Sequence, residues 1–147
     1  MTEDPTHFAF FNEIGIIEQL AGALFDKALP PGMTRAQFVV INHYVRLEPG
    51  ERSPADLARA FQVTRPTMTS TLSRMARAGL IQIRPDPADG RGKLVSITQR
   101  GREVRHLCVA AIGPLLPLLF RVATEAELAE ILPPLRRIRE RLDGLRS

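Results

Sequence analysis

The fold of this chain is decided by residues 53–79, which read SPADLARAFQVTRPTMTSTLSRMARAG. Ser53 can cap the start of a helix, and Pro54 has the fixed backbone angle that suits the first helical position. After a short connection, Thr64 can cap a second helix, which Gly79 can close because glycine tolerates a left-handed conformation. Two short helices joined so tightly predict a helix-turn-helix motif.

The second helix of this motif has two faces of different character. Met68, Leu72 and Met75 recur at helical spacing with Gly79, so we expect this face to lie against the core. The opposite face begins with short hydroxyl side chains and ends with arginines, although serine and threonine are poor helix formers. It is either an ordinary solvated surface or a surface that enters the major groove of DNA. We favour a DNA contact, made by Arg65, Pro66, Thr67, Thr69, Ser70, Ser73, Arg74 and Arg77.

After this helix the apolar residues alternate with polar ones, which is typical of half-buried strands. Ile81 and Ile83 alternate in one segment, Val95 and Ile97 alternate in a second, and residues 85–92 between them are rich in turn formers. The pattern predicts a β-hairpin with a long loop, in the position of a wing. An arginine on a thin loop can enter the narrow minor groove, where the potential is most negative. We expect wing contacts from Arg84, Asp89, Arg91 and Lys93.

Helices are also predicted before the motif. Apolar residues between positions 8 and 24 recur at steps of three and four, which indicates an amphipathic first helix. Residues 28–32 break it, and Thr34 can cap a second helix that ends near Leu47.

Two proline-containing segments follow the hairpin. Residues 107–120 are apolar nearly all round, but Pro114 and Pro117 should kink or interrupt that helix. Pro133 and Pro134 are expected to split the last helix. A helix that is apolar on most faces has to be covered, and a second copy of the chain would provide the cover.

The expected fold class is mainly α with a small β-hairpin wing: a winged helix-turn-helix lobe plus a helical dimerisation region. We expect residues 1–147 to form one domain. Its DNA-binding lobe covers about 34–102, and its dimerisation region covers about 6–30 and 103–146.

The basic residues concentrate in the middle of the chain. Residues 59–105 hold ten basic and three acidic side chains, a net charge of +7, so the remainder carries −3 to give the total of +4. Such a distribution suits a nucleic-acid surface on a neutral scaffold, or an ordinary solvated face.

Several classes of protein are unlike this sequence. The single cysteine excludes an intrachain disulfide, and the polar start has no signal-peptide pattern. The longest apolar run has 14 residues, which is short for a membrane span, so we expect a cytoplasmic protein. We find no phosphate loop, nucleophile motif or cluster of metal ligands, and we expect neither an enzyme nor a cofactor nor a metal site.

Residues 34–102 resemble the MarR family of winged helix-turn-helix regulators. The most specific match is the wing signature of Asp89 and Arg91, at its usual distance from the recognition helix. Ser70 and Thr71 depart from the family's usual basic and aliphatic residues, so the operator sequence cannot be transferred. The other matching residues are Gln37, Phe38, Leu57, Ala58, residues 64–69, Arg74, Gly79, Leu80, residues 86–91, residues 94–98 and Gly101.

The resemblance implies a homodimer on a pseudo-palindromic operator, with recognition helices in successive major grooves and wings in flanking minor grooves. It implies that Asp89 orients Arg91 by a charge-assisted pair. It also implies a repressor released by small aromatic or phenolic effectors. Side chains on the first two helices that are either core or effector contacts are Phe11, Phe38, His43 and Tyr44.

Two other functions stay open. One is a winged helix that senses a metal or a redox signal, for which Cys108 is the candidate thiol, although we expect that thiol to be buried and structural. The other is a winged helix that binds protein and not DNA.

Overall fold

The computed structural model describes residues 3–145, which are mainly helical. Four helices precede a two-stranded antiparallel hairpin, and three follow it within these residues. The elements are α1 Thr6–Ala28, α2 Arg35–Leu47, α3 Pro54–Ala60, α4 Arg65–Arg77, β1 Ile81–Asp86, β2 Asp89–Ile97, α5 Gln99–Ala110, α6 Leu116–Val122 and α7 Glu125–Gly144. This order confirms the mainly α class with a hairpin wing.

Hydroxyl side chains cap most helix starts. Thr34, Ser53 and Thr64 each accept a hydrogen bond from the backbone N–H three residues later, as the sequence predicted for α2, α3 and α4. Gly79 follows α4 with a φ of +75°, a conformation that only glycine adopts at little cost. The predicted helix-turn-helix boundaries are therefore confirmed.

The core lies where α2, α3, α4 and the base of the hairpin meet. Met68, Leu72 and Met75 of α4 are buried in it, as their helical spacing predicted. Burying one such side chain contributes about 1.5–3 kcal/mol. The other buried members of the cluster are Val40, Ile41, Tyr44, Leu57, Ala58, Leu80, Ile81 and Val95.

The hairpin has a much shorter loop than expected. Its strands continue to Asp86 and restart at Asp89, and their register shifts between Pro85 and Asp86. The Asp86 carboxylate accepts the Ala88 backbone N–H at 2.9 Å, which satisfies the turn locally and lets pairing approach the tip. The prediction of a long loop over residues 85–92 was wrong for this reason.

The proline-containing segments behave differently from one another. A 3-10 turn at Gly113–Leu115 separates α5 from α6, which confirms the predicted interruption. By contrast, α7 continues through Pro133 and Pro134, so the predicted split was wrong. The carbonyls of Ala129 and Glu130, which lose their helical donors, lie at exposed positions where water can bind them.

The contacts divide the chain into two units, one ending at Ile112 and one starting at Gly113. Two stretches, Thr6–Ala28 and Gln99–Val122, are apolar and long enough to cross a membrane, although one or two such helices are weak evidence of a membrane protein. Only 6% of each stretch is buried. These helices therefore carry exposed apolar surface.

Candidate nucleic-acid interface

All of the α4 residues that the sequence assigned to DNA are exposed. Pro66, Thr67 and Arg65 lie at the start of the helix, and the remainder continue along the face opposite to the buried methionines. Pro66 occupies the first turn, where a missing N–H costs nothing. The helix therefore presents one continuous polar face to solvent.

Side-chain contacts, both ion pairs and hydrogen bonds, divide the ten basic side chains of residues 59–105 into two groups. Five contact the protein: Arg59 pairs with Asp56, Arg84 with Glu51 and Arg102 with Glu48, while Arg100 and Arg105 donate to the oxygens of Ala78 and Asn42. The other five have no side-chain partner among residues 3–145, and they are Arg65, Arg74, Arg77, Arg91 and Lys93. All five lie on α4 or on the wing, so the basic side chains of residues 59–105 that have no protein partner are confined to these two elements.

The hydroxyl groups of α4 differ in what they have left to offer. Thr71 donates to the Thr67 carbonyl at 3.1 Å and is thereby occupied. The Thr67 hydroxyl accepts a hydrogen bond from Thr64 at 2.8 Å but keeps its own proton. Thr69 and Ser70 make no side-chain hydrogen bond within the described part of the chain and retain both donor and acceptor capacity.

At the wing tip Asp89 and Arg91 do not form the side-chain pair that the resemblance implies. The Asp89 carboxylate accepts the backbone N–H of Arg91 at 3.1 Å. A negative charge on a main-chain donor shapes the turn and leaves the guanidinium of Arg91 exposed. Lys93 is exposed on the same strand.

Arg84 lies at the base of the wing and is already engaged. Its Nε and Nη2 donate to the two carboxylate oxygens of Glu51 at 2.8 and 2.6 Å. This bidentate hydrogen bonding lowers the pKa of the Glu51 carboxyl and raises the pKa of Arg84. Sequence reasoning missed Glu51 because the pair spans 33 positions, beyond any local pattern.

The end of α4 is held by the start of α5. The Thr98 hydroxyl donates to the Gly79 carbonyl at 2.6 Å, and Arg100 Nε donates to the Ala78 carbonyl at 3.1 Å. Gly101 packs so closely that a Cβ there would lie 2.2 Å from the Leu80 carbonyl oxygen. These contacts satisfy carbonyls at the helix end and orient the recognition helix.

Two of the four candidate effector residues line separate cavities. Tyr44 is 2% exposed, and its hydroxyl donates to the Val95 carbonyl at 2.6 Å. Its ring lines a cavity of about 300 Å³, whereas His43 lines a different one of about 360 Å³. The two residues line different cavities, although their rings meet edge-on with centroids 6.1 Å apart.

The other two candidate effector residues are phenylalanines with aromatic partners of their own. Phe38 stacks edge-on against Phe25 at 4.9 Å. Phe11, on α1, is 45% exposed and packs against Phe10 at 5.2 Å. The assignment of these four residues to an effector site stays a prediction.

Cys108 is buried on α5, as expected of a structural thiol. Burial raises the pKa of this thiol, which disfavours the reactive thiolate. No group of three or more His, Cys, Asp or Glu side chains comes together as a metal site between residues 3 and 145.

Sequence comparison identifies relatives among transcription regulators. A model described as MarR family matches residues 32–92. The chain is 36% identical over 74 residues to the transcriptional activatory protein BadR of Rhodopseudomonas palustris, which covers 50% of this chain and 42% of BadR. It is 27% identical over 117 residues to the transcriptional repressor NicR of Pseudomonas putida, which covers 79% of this chain and 73% of NicR. The chain thus spans less than half of BadR.

Solved structures agree over nearly the whole chain. A point mutant of MarR from E. coli has a TM-score of 0.74 and 26% identity, covering 94% of this chain and 98% of that one. Bordetella bronchiseptica BpsR, whose DNA binding is regulated by 6-hydroxynicotinic acid, has a TM-score of 0.69 and 26% identity, covering 89% and 98%. These likenesses, the matched segment and the winged helix fold lead to one conclusion: residues 32–92 are similar to the MarR family, whose members are transcription regulators and not enzymes, and the chain has the winged helix fold of those regulators.

Proposed function

We propose that this regulator binds double-stranded DNA through α4 and the wing. The observation that carries the proposal is the confinement of the unpaired basic side chains of residues 59–105 to these two elements. Arg74 and Arg77 would contact phosphates, while Thr67, Thr69 and Ser70 are short enough to reach base edges. Arg91 would enter the minor groove.

The binding species would be a homodimer. Large apolar side chains on α1 are exposed, among them Phe8 at 56%, Ile17 at 59% and Leu20 at 67%. On α5 and α6, Leu107 and Phe120 are 61% and 59% exposed. Apolar surface of this extent is costly in water, and association with a second copy would remove it. The same association accounts for the two apolar stretches of membrane-spanning length, so we propose a cytoplasmic location.

Two lobes in one dimer bind DNA only when their separation matches a helical turn of about 10 base pairs. Repression would follow from occupancy of the operator, and a ligand would act by favouring a spacing that does not match it. BpsR, which responds to 6-hydroxynicotinic acid, supports a small aromatic effector for this chain. NicR is a repressor and BadR an activator, and we propose repression.

The test is fluorescence anisotropy with the DNA upstream of the protein's own coding region, beside scrambled DNA, at two salt concentrations. If the protein does not bind that DNA specifically, the probe is a duplex selected for binding from a random pool. We expect two chains per duplex and specific binding at least about a thousandfold tighter than binding to scrambled DNA, with affinity falling steeply as salt rises. Equal weak binding to every duplex would overturn the proposal in favour of a protein-binding winged helix.

The effector and the sign of regulation need separate measurements. Aromatic and phenolic acids would be added to the preformed complex, and an effector should release the DNA and raise the thermal midpoint of the free protein. Transcription from the bound promoter should rise when the gene is deleted. A fall would make the protein an activator.

A further inference from the structure

The base of the wing is tied to the loop between α2 and α3 at two points. Val95 of β2 exchanges two backbone hydrogen bonds, of 3.1 and 2.8 Å, with Arg52 of this loop. Its carbonyl also accepts a hydrogen bond from the Tyr44 hydroxyl. On β1, Arg84 forms its bidentate pair with Glu51. One attachment therefore lies on each strand of the hairpin.

Two attachments do what one cannot. The core holds the hairpin through the buried Ile81 and Val95, but β1 is exposed again at Arg84 and Pro85, and a small twist of this outer part displaces the tip. The planar fork of Arg84 on the Glu51 carboxylate restricts this twist, because both hydrogen bonds require one orientation. The two side chains are 44% and 38% exposed, so the pair adds little to overall stability.

We infer that Glu51 and Arg84 are positioning residues, which hold the wing at the angle that brings Arg91 to the minor groove. This inference rests on the proposed DNA binding. It assigns Arg84 a different role from the direct DNA contact expected from the sequence, since two of its donor nitrogens already bind Glu51. The two roles predict opposite effects of removing Glu51: a positioning role predicts weaker binding, whereas a freed Arg84 contact predicts tighter binding.

The experiment compares Glu51→Gln with Glu48→Gln in the anisotropy assay, on the duplex that the wild type binds specifically. Both changes remove one negative charge from the same loop, but Glu48 pairs with Arg102 on α5 and, among the described residues, makes no hydrogen bond or ion pair with the hairpin. The gain in DNA affinity that comes from removing one negative charge, which repels the phosphates, is therefore the same in both variants. We expect Glu51→Gln to bind about fivefold more weakly than Glu48→Gln, the scale of an exposed ion pair at each wing. Equal or tighter binding would overturn the inference.

Combination with Arg91→Ala separates positioning from a general effect on the lobe. If Glu51 acts through the wing tip, Glu51→Gln should cause no further loss of affinity in the Arg91→Ala background. Two losses that multiply would contradict the inference.

A measurement without DNA keeps the inference independent of the proposed function. Amide hydrogen exchange at Arg52 and Val95 should accelerate about tenfold in Glu51→Gln and stay unchanged in Glu48→Gln, because only the first change releases the wing base. Unchanged exchange in both variants would show that the Glu51–Arg84 pair does not hold the wing and would refute the inference. If the wild type binds no duplex specifically but exchange accelerates in Glu51→Gln, the proposed function is wrong, whereas the role of the Glu51–Arg84 pair in holding the wing is supported.

Discussion

Among single residues, Arg91 and Arg84 show how similar arginines acquire different roles from their neighbours. Both lie on the wing, yet Arg84 meets a carboxylate from another loop and Arg91 meets only solvent. An arginine bound by a carboxylate can act as a structural group, whereas an exposed one without a protein partner is available to a nucleic acid.

Arg91→Ala should weaken operator binding by about 1–3 kcal/mol if the side chain makes a good groove contact. The measurement is anisotropy at fixed salt. Arg59→Ala is the matched control, because Arg59 is paired with Asp56 within α3. Unchanged DNA affinity of Arg91→Ala would contradict the assignment of Arg91 as a DNA contact of the wing.

Tyr44 should titrate abnormally. Burial raises its pKa to about 12 from 10.0, so the folded state favours the neutral phenol. This contribution to stability is complete below pH 10 and is lost as the pH rises towards 12. The chain has one tyrosine and no tryptophan, so tyrosinate absorbance follows this group directly. A midpoint near 10 in the folded protein would contradict the expectation, and the urea-unfolded chain provides that reference.

Cys108 should resist thiol reagents in the folded protein. Its burial and raised pKa both disfavour the thiolate, so modification should be at least about tenfold slower than in the unfolded chain. The measurement is the rate of reaction with a chromogenic disulfide, with and without urea. Rapid reaction in the folded state would revive the redox-sensor alternative.

Among the elements, α4 and α5 meet at a junction where Gly101 packs closely against the backbone of Leu80. Gly101→Ala would force a Cβ to 2.2 Å from the Leu80 carbonyl oxygen and 2.8 Å from Ile97 Cγ1, so the backbone must move. We expect a loss of about 1–3 kcal/mol in unfolding free energy, measured with denaturant. Gly144→Ala, whose Cβ would meet no atom within 4 Å, is the control and should lose nothing. Equal unfolding free energies of the two variants would show that the junction accommodates a Cβ at position 101 and would contradict this prediction.

For the whole molecule, the exposed apolar face of α1 makes association the main expectation. Leu20→Glu should convert a dimer into monomers in sedimentation equilibrium, because it places a charge at a side chain that is 67% exposed in the single chain. Gln19→Glu adds the same charge one residue away on a polar position and should stay dimeric. A monomeric wild type would refute the dimer, and a dimeric Leu20→Glu would refute this interface.

What the sequence by itself determined is local. Caps at Thr34, Ser53 and Thr64, the left-handed Gly79 and the spacing of Met68, Leu72 and Met75 act within a turn or two of helix. Those interactions gave the motif, its boundaries and the exposed polar face of α4 correctly.

Tertiary structure decided what depends on distant partners. Glu51 occupies Arg84 from 33 positions away, and Thr98 and Gly101 of α5 hold the end of α4. The helix α7 continues through two prolines that local rules treat as a break, and the surroundings of the carbonyls that lose their donors are set by the tertiary structure. The physical reason is common to all three: a side chain's propensity is set by its neighbours in sequence, but its role is set by the groups that packing brings to it.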